Sequence, residues 1–285
     1  MDHNDAPDEG EQDAPMSSWQ SIAVRAAELP GVRVLGRPLY RRYFRRPYEG
    51  GNAYYGMYES YAEALAAAPA SMSNSYDVDA AATMYRGQFR RVRACDYPAM
   101  HWLARLLNDG VRDVFDLGGH MGQAYYGFGQ YLDYPTDIRW RVHDVPAVMH
   151  AGRRWADEHD KLGGLAFADH PGDADGCDLL ITTGALQYLE YSLPELLRGF
   201  ARAPADVIVN LVPMHLQQGY FTLQNLGIAI CPYRVMCLPE FVDDMAALGY
   251  TVRDQWQLPE RHIRVPFEPA ASIDSYHGMY FRWQH

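Results

Sequence analysis

The 285-residue sequence predicts an α/β fold: a doubly wound sheet of mainly parallel strands, with a C-terminal antiparallel hairpin and an N-terminal helical lid. Three observations carry that prediction. A short apolar run from Val111 to Leu117 enters a glycine turn, Gly118-Gly119-His120-Met121-Gly122, which opens a helical pattern from Gln123 to Leu132. A second strand-like run, Arg139 to Val142, is closed by Asp144, 22 positions after Gly122. Strand and helix patterns then alternate as a doubly wound sheet requires, until Tyr250 to Leu258 and Met279 to Trp283 follow one another with no helix between them, which implies antiparallel pairing at an edge.

The glycine turn and Asp144 belong to one argument. Glycines between strand and helix permit tight backbone angles and let a ligand lie against the main chain. A carboxylate roughly 20 residues further on, at the tip of the next parallel strand, is placed to accept hydrogen bonds from a ribose diol. A glycine-rich turn alone is often only a loop; its pairing with Asp144 is what reads as a nucleotide-binding unit.

Composition narrows the function classes. With 48% hydrophobic residues the chain can build a sizeable core. Acidic residues outnumber basic ones 36 to 25, and a net charge of −11 repels a phosphate backbone, so nucleic acid is not the expected partner. Cys95, Cys177, Cys231 and Cys237 are far apart and form no Cys-x-x-Cys pair, which suits free buried thiols in a reducing cytosol and no metal site. No run approaches the roughly 18 apolar residues that span a bilayer, and the N-terminus is acidic where a signal peptide is basic and then apolar. The expected location is cytoplasmic. Lys161, the only lysine, lies in a turn-like stretch, which argues against Schiff-base chemistry.

Residues 1–18 read as a disordered acidic tail, residues 19–109 as a helical lid region, and residues 110–285 as the nucleotide-binding domain. Within the lid, the run Arg37 to Arg46 with interleaved Tyr40, Tyr43 and Phe44 reads as a solvated face packed on aromatics, the alternative being a hold on an anionic substrate. Tyr54, Tyr58, Tyr61 and Leu65 recur at helical spacing and predict one helix face, either core or half-exposed over a pocket. Tyr76 to Asp109 is helical in pattern with a break at Tyr97-Pro98. Beyond Asp144, Pro146 to His159 is a helix, Leu165 to Ala168 a strand closed by Asp169, and Asp178 to Thr183 a strand buried on both faces. Ser192-Leu-Pro-Glu195 has the spacing of a capping box for a helix to Arg202, Asp206 to Leu211 is the fifth strand, and Pro239 to Leu248 is a helix.

This order of elements resembles the class I S-adenosylmethionine-dependent methyltransferases, a Rossmann-like fold, and Asp116 to Gly122 is similar to their first motif. From about Gly50 the chain resembles, more narrowly, a bacterial family of methyltransferases with unassigned substrates. The matching pieces are Gly51 to Ala64, Leu186-Gln-Tyr-Leu-Glu190, Leu223-Gln-Asn225, Cys231-Pro-Tyr-Arg234 and Asp274 to Tyr280. The resemblance implies S-adenosyl-L-methionine as cofactor, held by Asp116, Gly118, Gly119, Gly122, Asp144, Val145, Asp169, His170 and Thr183. It implies methyl transfer to a small molecule, in secondary or glycan metabolism, with Tyr58, Gln187, Tyr233, Arg234 and Tyr276 on the substrate side. Two departures stand out: His120 occupies the position of the pattern's middle glycine, and Gln187 stands where plant-type O-methyltransferases carry a histidine base.

Methyl transfer needs alignment in a dry pocket, and a base only where the nucleophile carries a proton. His215, after the fifth strand, and His277, before the last, are the candidate bases by position, each with a structural role as its alternative. The expected partners are a small-molecule substrate and, as an oligomeric option, a second copy in a homodimer; neither a membrane nor a metal is expected. The competing readings are a nicotinamide-dependent oxidoreductase, disfavoured by the lack of Gly-x-Gly-x-x-Gly, and a non-catalytic nucleotide-binding scaffold.

Overall fold

The computed structural model describes residues 28, 29, 31, 33–47, 52–75, 77, 89 and 92–284, so the expected acidic tail lies outside the described residues. The elements in chain order are α1 (Arg33–Phe44), β1 (Ala53–Tyr58), α2 (Tyr61–Ala67), α3 (Tyr97–Asn108), β2 (Asp113–Leu117), α4 (Gln123–Phe128), β3 (Arg139–His143), α5 (Pro146–His159) and β4 (Leu165–Phe167). They continue with β5 (Leu179–Thr183), α6 (Leu193–Arg198), β6 (Asp206–His215), β7 (Tyr220–Asn225), β8 (Ile230–Cys237), α7 (Leu238–Ala247), β9 (Tyr250–Leu258) and β10 (Tyr276–Trp283).

Five parallel strands lie in the order β4-β3-β2-β5-β6. Numbered by their appearance among themselves this is 3-2-1-4-5, the Rossmann-like doubly wound order, with its topological switch point between β2 and β5. In place of a sixth parallel strand, β10 lies antiparallel on β6 and carries β9 on its far side, which is the C-terminal hairpin the sequence predicts. The central strands β2, β5 and β6 are buried on both faces, as strands covered from both sides must be, whereas β3 alternates buried Trp140 and Val142 with more exposed Arg139 and Arg141. Phe115, Leu117, Leu180, Val207 and Val209 face α6 and α7, whereas Val114, Trp140, Ile181 and Ile208 pack with α3 and α4.

The sheet also continues in a second direction. β6 is ten residues long; its first half pairs with β5, its run from Asp206 to Pro213 pairs with β10, and its last two residues, Met214 and His215, pair in parallel with Met236 and Cys237 of β8. At the changeover Leu211 has φ +57°, a left-handed backbone that a branched side chain rarely adopts, and the β10 register slips opposite it, between His277 and Met279. β8 then pairs antiparallel with β7, and β7 with β1, giving a three-stranded annex.

The annex corrects the reading of the tyrosine stripe. Tyr54 and Tyr58 sit on a strand, and only Tyr61 and Leu65 belong to the helix that follows. The helix starts where the chain supplies a cap: Ser60 accepts from the Glu63 N–H, and Glu63 accepts from the Glu59 N–H. Upstream, the aromatic run Ala-Tyr-Tyr-Gly-Met-Tyr has strand propensity and a partner in β7, and tertiary pairing overrides the helical spacing. Other differences are at boundaries. Pro98 opens α3 instead of breaking a longer helix, as a residue without an N–H suits the first turn. α6 stops at Arg198, four residues short of the predicted end, with Gly199 as its C-cap, and the Ser192–Glu195 capping box forms as predicted. The arginine run is helix α1, whose Tyr40 and Phe44 are buried while Arg41, Arg42 and Arg45 stay in solvent, the solvated-face reading.

Candidate active site

A cavity of about 750 Å3 opens at the carboxyl ends of β2, β3 and β5, around the switch point. Its first half is organised around the glycine turn after β2 and the Asp144 carboxylate. β2 ends in Gly118, which has φ +74° and whose hypothetical Cβ would lie 2.0 Å from the Ala185 Cβ, so both the turn and the approach of the β5 loop require glycine. His120 follows with φ +55° and is buried. Its main-chain N–H donates to Asp144 Oδ2 at 2.8 Å, and the Val145 N–H donates to Asp144 Oδ1 at 2.7 Å. Asp144 is thereby fixed at the tip of β3 by one bond to each oxygen, and each oxygen keeps a lone pair for a ligand hydroxyl. The left-handed backbone of His120 aims its N–H at the carboxylate, a bond that a glycine at this position would make as well.

Asp116 is placed differently from its expected role. It does not line the cavity but lies fully buried beneath the turn, where Trp140 Nε1 donates to Oδ2 at 3.1 Å and a Cβ on Gly119 would meet the carboxyl at 2.3 Å. Burial pushes its pKa up to about 7; the Trp140 bond opposes this and the nearby Asp144 charge adds to it. Gly119 and Gly122 shape the turn without lining the cavity. Val145, Asp169 and Thr183 line it; Asp169 is exposed and paired with Arg153 at 2.6 Å. His170 is exposed, caps a short 3-10 turn and stays outside the wall.

The second half of the cavity is walled by the annex and by the chain between β9 and β10. Tyr54 of β1, Tyr61 of α2, Gln224 of β7 and Tyr233 of β8 line it, joined by Gln187, Tyr188, Leu211 and Tyr276. Tyr188 Oη donates to Gln224 Oε1 at 2.7 Å, and Gln224 Nε2 donates to Tyr54 Oη at 3.1 Å. Tyr54 and Tyr276 hydroxyls lie 3.5 Å apart, and those of Tyr276 and Tyr233 lie 2.7 Å apart. Burial, then the neighbouring Tyr276, raises the Tyr233 phenol well above its ordinary range, so it stays protonated. Gln187 is 5% exposed and donates to Gly184 O at 2.7 Å, bridging the two halves.

Both candidate bases fall outside this cavity. The His215 Nδ1 accepts from the N–H groups of Gln217 and Gln218, so the imidazole caps the turn after β6. His277 is 2% exposed within β10, held neutral by burial, which lowers its pKa. The end of a strand gave the position of each histidine but not the face it points from, because the bulge at Leu211 turns β6 before His215 is reached. Two expected substrate residues are also elsewhere: Arg234 donates to Glu190 O and lies 4.9 Å over the Phe221 ring, and Tyr58 is half-buried outside the wall. Tyr188 and Gln224 join the wall without having been expected there, and Tyr54, expected on a helical stripe that could lie over a pocket, reaches it from a strand; each lies in a stretch that carries the family resemblance. Cys231 also lines the wall, with a thiol pushed up to about 12 by burial and so not a nucleophile. Among the described residues, no cluster of His, Cys, Asp or Glu could hold a metal ion, and no helix is long and apolar enough to cross a membrane.

No protein-family model and no curated protein matches the sequence. Among solved structures, the chain is similar to the 1,6-didemethyltoxoflavin-N1-methyltransferase of Burkholderia thailandensis, crystallised with 1,6-didemethyltoxoflavin and S-adenosylhomocysteine, at 17% identity over 67% of this chain and 80% of that one, with a TM-score of 0.43. It is similar to a glycopeptide N-methyltransferase complexed with S-adenosyl-L-methionine, at 11% identity over 68% of this chain and 96% of that one, TM-score 0.45. A third similarity is to the N,N-8-amino-8-demethyl-D-riboflavin dimethyltransferase of Streptomyces davawensis, at 17% identity over 72% of this chain and 57% of that one, TM-score 0.45.

Proposed function

We propose that the protein is a class I methyltransferase that uses S-adenosyl-L-methionine to methylate a small molecule. The observation that carries the reading is Asp144, held at the tip of β3 by the His120 and Val145 N–H groups and facing a cavity floored by Gly118. The residues present fit a nucleoside: a carboxylate with a lone pair on each oxygen for the ribose diol, and a glycine whose missing Cβ lets the ligand rest on main chain. A dinucleotide suits the site less well. The dinucleotide fold joins two mononucleotide-binding halves, and here the place of the sixth parallel strand is taken by antiparallel β10. The space past the switch point belongs instead to the phenol-lined half, where a methyl acceptor would lie.

Bound there, the cofactor supplies an electrophilic methyl group on a sulfonium. The chain contributes position and dryness: Asp144 fixes the ribose, Gln187 stands between the halves, and the tyrosine wall holds the acceptor away from water. Residues 19–109 act in this reading as part of the acceptor site, through Tyr54 and Tyr61, and the protein works inside the cell. The test is calorimetric. Asp144→Ala should weaken S-adenosylmethionine binding at least about tenfold, the worth of one or more charge-assisted hydrogen bonds. Unchanged affinity in the folded variant removes Asp144 from the site, and NADH binding tighter than S-adenosylmethionine overturns the enzyme class.

A further inference from the structure

We infer that the methyl acceptor is an amine borne on a flat ring, whose N–H donates to Gln187 where the two halves of the cavity meet and whose nitrogen becomes positively charged as it takes the methyl group. The inference rests on the methyl-transfer reading for the transfer itself, and not for the cavity's preference for a cation. Four carboxylates and three guanidinium groups line the cavity. Arg93 is paired with Asp96 at 2.8 Å, Asp169 with Arg153 at 2.6 Å, and Arg264 with Glu28, so these charges are met by partners of their own. Asp144, Glu260 and Asp274 remain. With the full charge of Arg261 set against them and the imidazoles neutral, the wall carries a net charge of about −2. Glu260 and Asp274 belong to the chain between β9 and β10, on the acceptor side. An anionic acceptor would add a third negative charge here, whereas a cation reduces the two already present.

Gln187 adds a second requirement. Its side chain is 5% exposed and its Nε2 donates to Gly184 O at 2.7 Å; because a carbonyl only accepts, this bond fixes which way the amide is turned. The buried Oε1 is left with no donor among the described residues, on a side chain that lines the seam between the halves, and a ligand N–H would satisfy it. An amine offers an N–H and a lone pair on one atom. A hydroxyl bonded to Gln187 would spend its only proton there, and a neutral amide cannot take that proton away. In the transfer, the nitrogen lone pair forms the N–CH3 bond while the S–CH3 electron pair stays on sulfur, so the sulfonium becomes a neutral thioether and the positive charge passes to nitrogen. The bond to Gln187 Oε1 becomes charge-assisted as this happens, a gain confined to the transition state and product. The new ammonium then releases a proton to water. Leu211, Pro232, Ile263 and Ile273 suit the ring, and aromatic faces attract a cation: Tyr233 meets Tyr54 and Tyr188 edge to face, with ring centroids 5.4 and 5.2 Å apart, and burial keeps Tyr233 uncharged.

The probes are single-ring molecules titrated calorimetrically into the full-length protein, with and without S-adenosylhomocysteine. Phenyltrimethylammonium carries the charge of a fully methylated arylamine, 2-phenylpropan-2-ol is its nearly isosteric neutral counterpart, and benzoate is an anion. The cation is expected to bind at least about tenfold more tightly than the alcohol, and benzoate least tightly of the three. Glu260→Gln combined with Asp274→Asn, at two exposed positions, should cut the cation's advantage to about threefold or less, with the affinities for the alcohol and for S-adenosylhomocysteine unchanged. Aniline and N,N-dimethylaniline test the amide: Gln187→Met should weaken aniline binding about fivefold and that of dimethylaniline, which has no N–H, by less than about twofold. Alcohol or benzoate bound as tightly as the cation overturns the inference, as does the absence of saturable cation binding or an equal loss of both anilines in Gln187→Met. The wild-type ranking decides the charge argument, so a Gln187→Met protein that fails to fold leaves the test intact. A preference for the cation without S-adenosylmethionine binding would keep the cation site and discard the methyl-transfer reading; S-adenosylmethionine binding with benzoate preferred would do the reverse.

Discussion

The two halves of the cavity are made of different material. Around Asp144 the wall is built on the glycine turn after β2 and on the ends of parallel strands locked in register by their neighbours. Around Tyr276 the wall is side chain, contributed by a three-stranded annex that meets the main sheet through two residues of β6. A backbone wall is tolerant of sequence but not of geometry, since any residue can supply an N–H while few can adopt φ +74°. A side-chain wall has the opposite character: its geometry is shared among several strands, and its chemistry changes with each substitution. On the proposed methyl-transfer reading, the first half would hold the constant part of the reaction and the second the choice of acceptor.

The comparison is broken most directly at Gly118. Gly118→Ala imposes a side chain on a left-handed residue and drives its Cβ into Ala185, so the variant should lose roughly 3 kcal/mol or more of stability and all measurable S-adenosylmethionine binding. Chemical denaturation and calorimetry read the two losses. A stable variant that binds normally would mean that the turn is not the rigid floor described above.

A second variant separates the halves instead of destroying both. Asn225 of β7 is fully buried, donates to Phe44 O at 2.6 Å and Arg46 O at 2.9 Å, and accepts from the Gly227 N–H at 2.8 Å. Asn225→Ala leaves those three main-chain groups without the amide, a cost of about 2–4 kcal/mol by the usual penalty for unmade buried bonds. The cost should fall on the annex. Hydrogen exchange is expected to speed up in β1 and β7 while β2 and β5 keep their protection, and S-adenosylmethionine affinity should stay within about twofold. Equal acceleration in β2 would show that annex and parallel sheet open as one unit.

The same contrast explains what could be read from sequence. The parallel half was legible because its signals are local: an apolar strand, glycines at the turn, an acidic residue at the next strand's tip, and a capping box at Ser192. Each of these depends on residues a few positions apart. The annex was not legible in that way. β7 and β8 alternate poorly, β8 contains Pro232, and both are buried along nearly their whole length, so neither shows the period-2 pattern of a half-exposed strand. β1 was misread because tyrosines at positions 54, 58 and 61 satisfy helical spacing, and what decides against a helix is a partner about 170 residues away, Gln224 opposite Tyr54. Candidate residues followed the same divide. Asp144 and Gly118 line the cavity, whereas the reach of His215 depended on the unforeseen left-handed Leu211.

The smallest effect is expected at His215, and its smallness is informative. Position alone made this residue a base, and a base removed from an active site costs a hundredfold or more in rate. The structure gives the imidazole a different occupation, accepting the Gln217 and Gln218 N–H groups in a turn where Leu216 and Gln217 are already exposed. In His215→Ala those two N–H groups can turn to water, so the loss should resemble that of a modest helix-cap or turn bond, about 0.5–1 kcal/mol. A melting temperature lowered by a few degrees at most, with S-adenosylmethionine affinity unchanged within about twofold, is the expected pattern. If that affinity falls tenfold, His215 reaches the cavity in solution, and the division of labour between a backbone floor and a phenol wall would have to admit a third contributor at the end of β6.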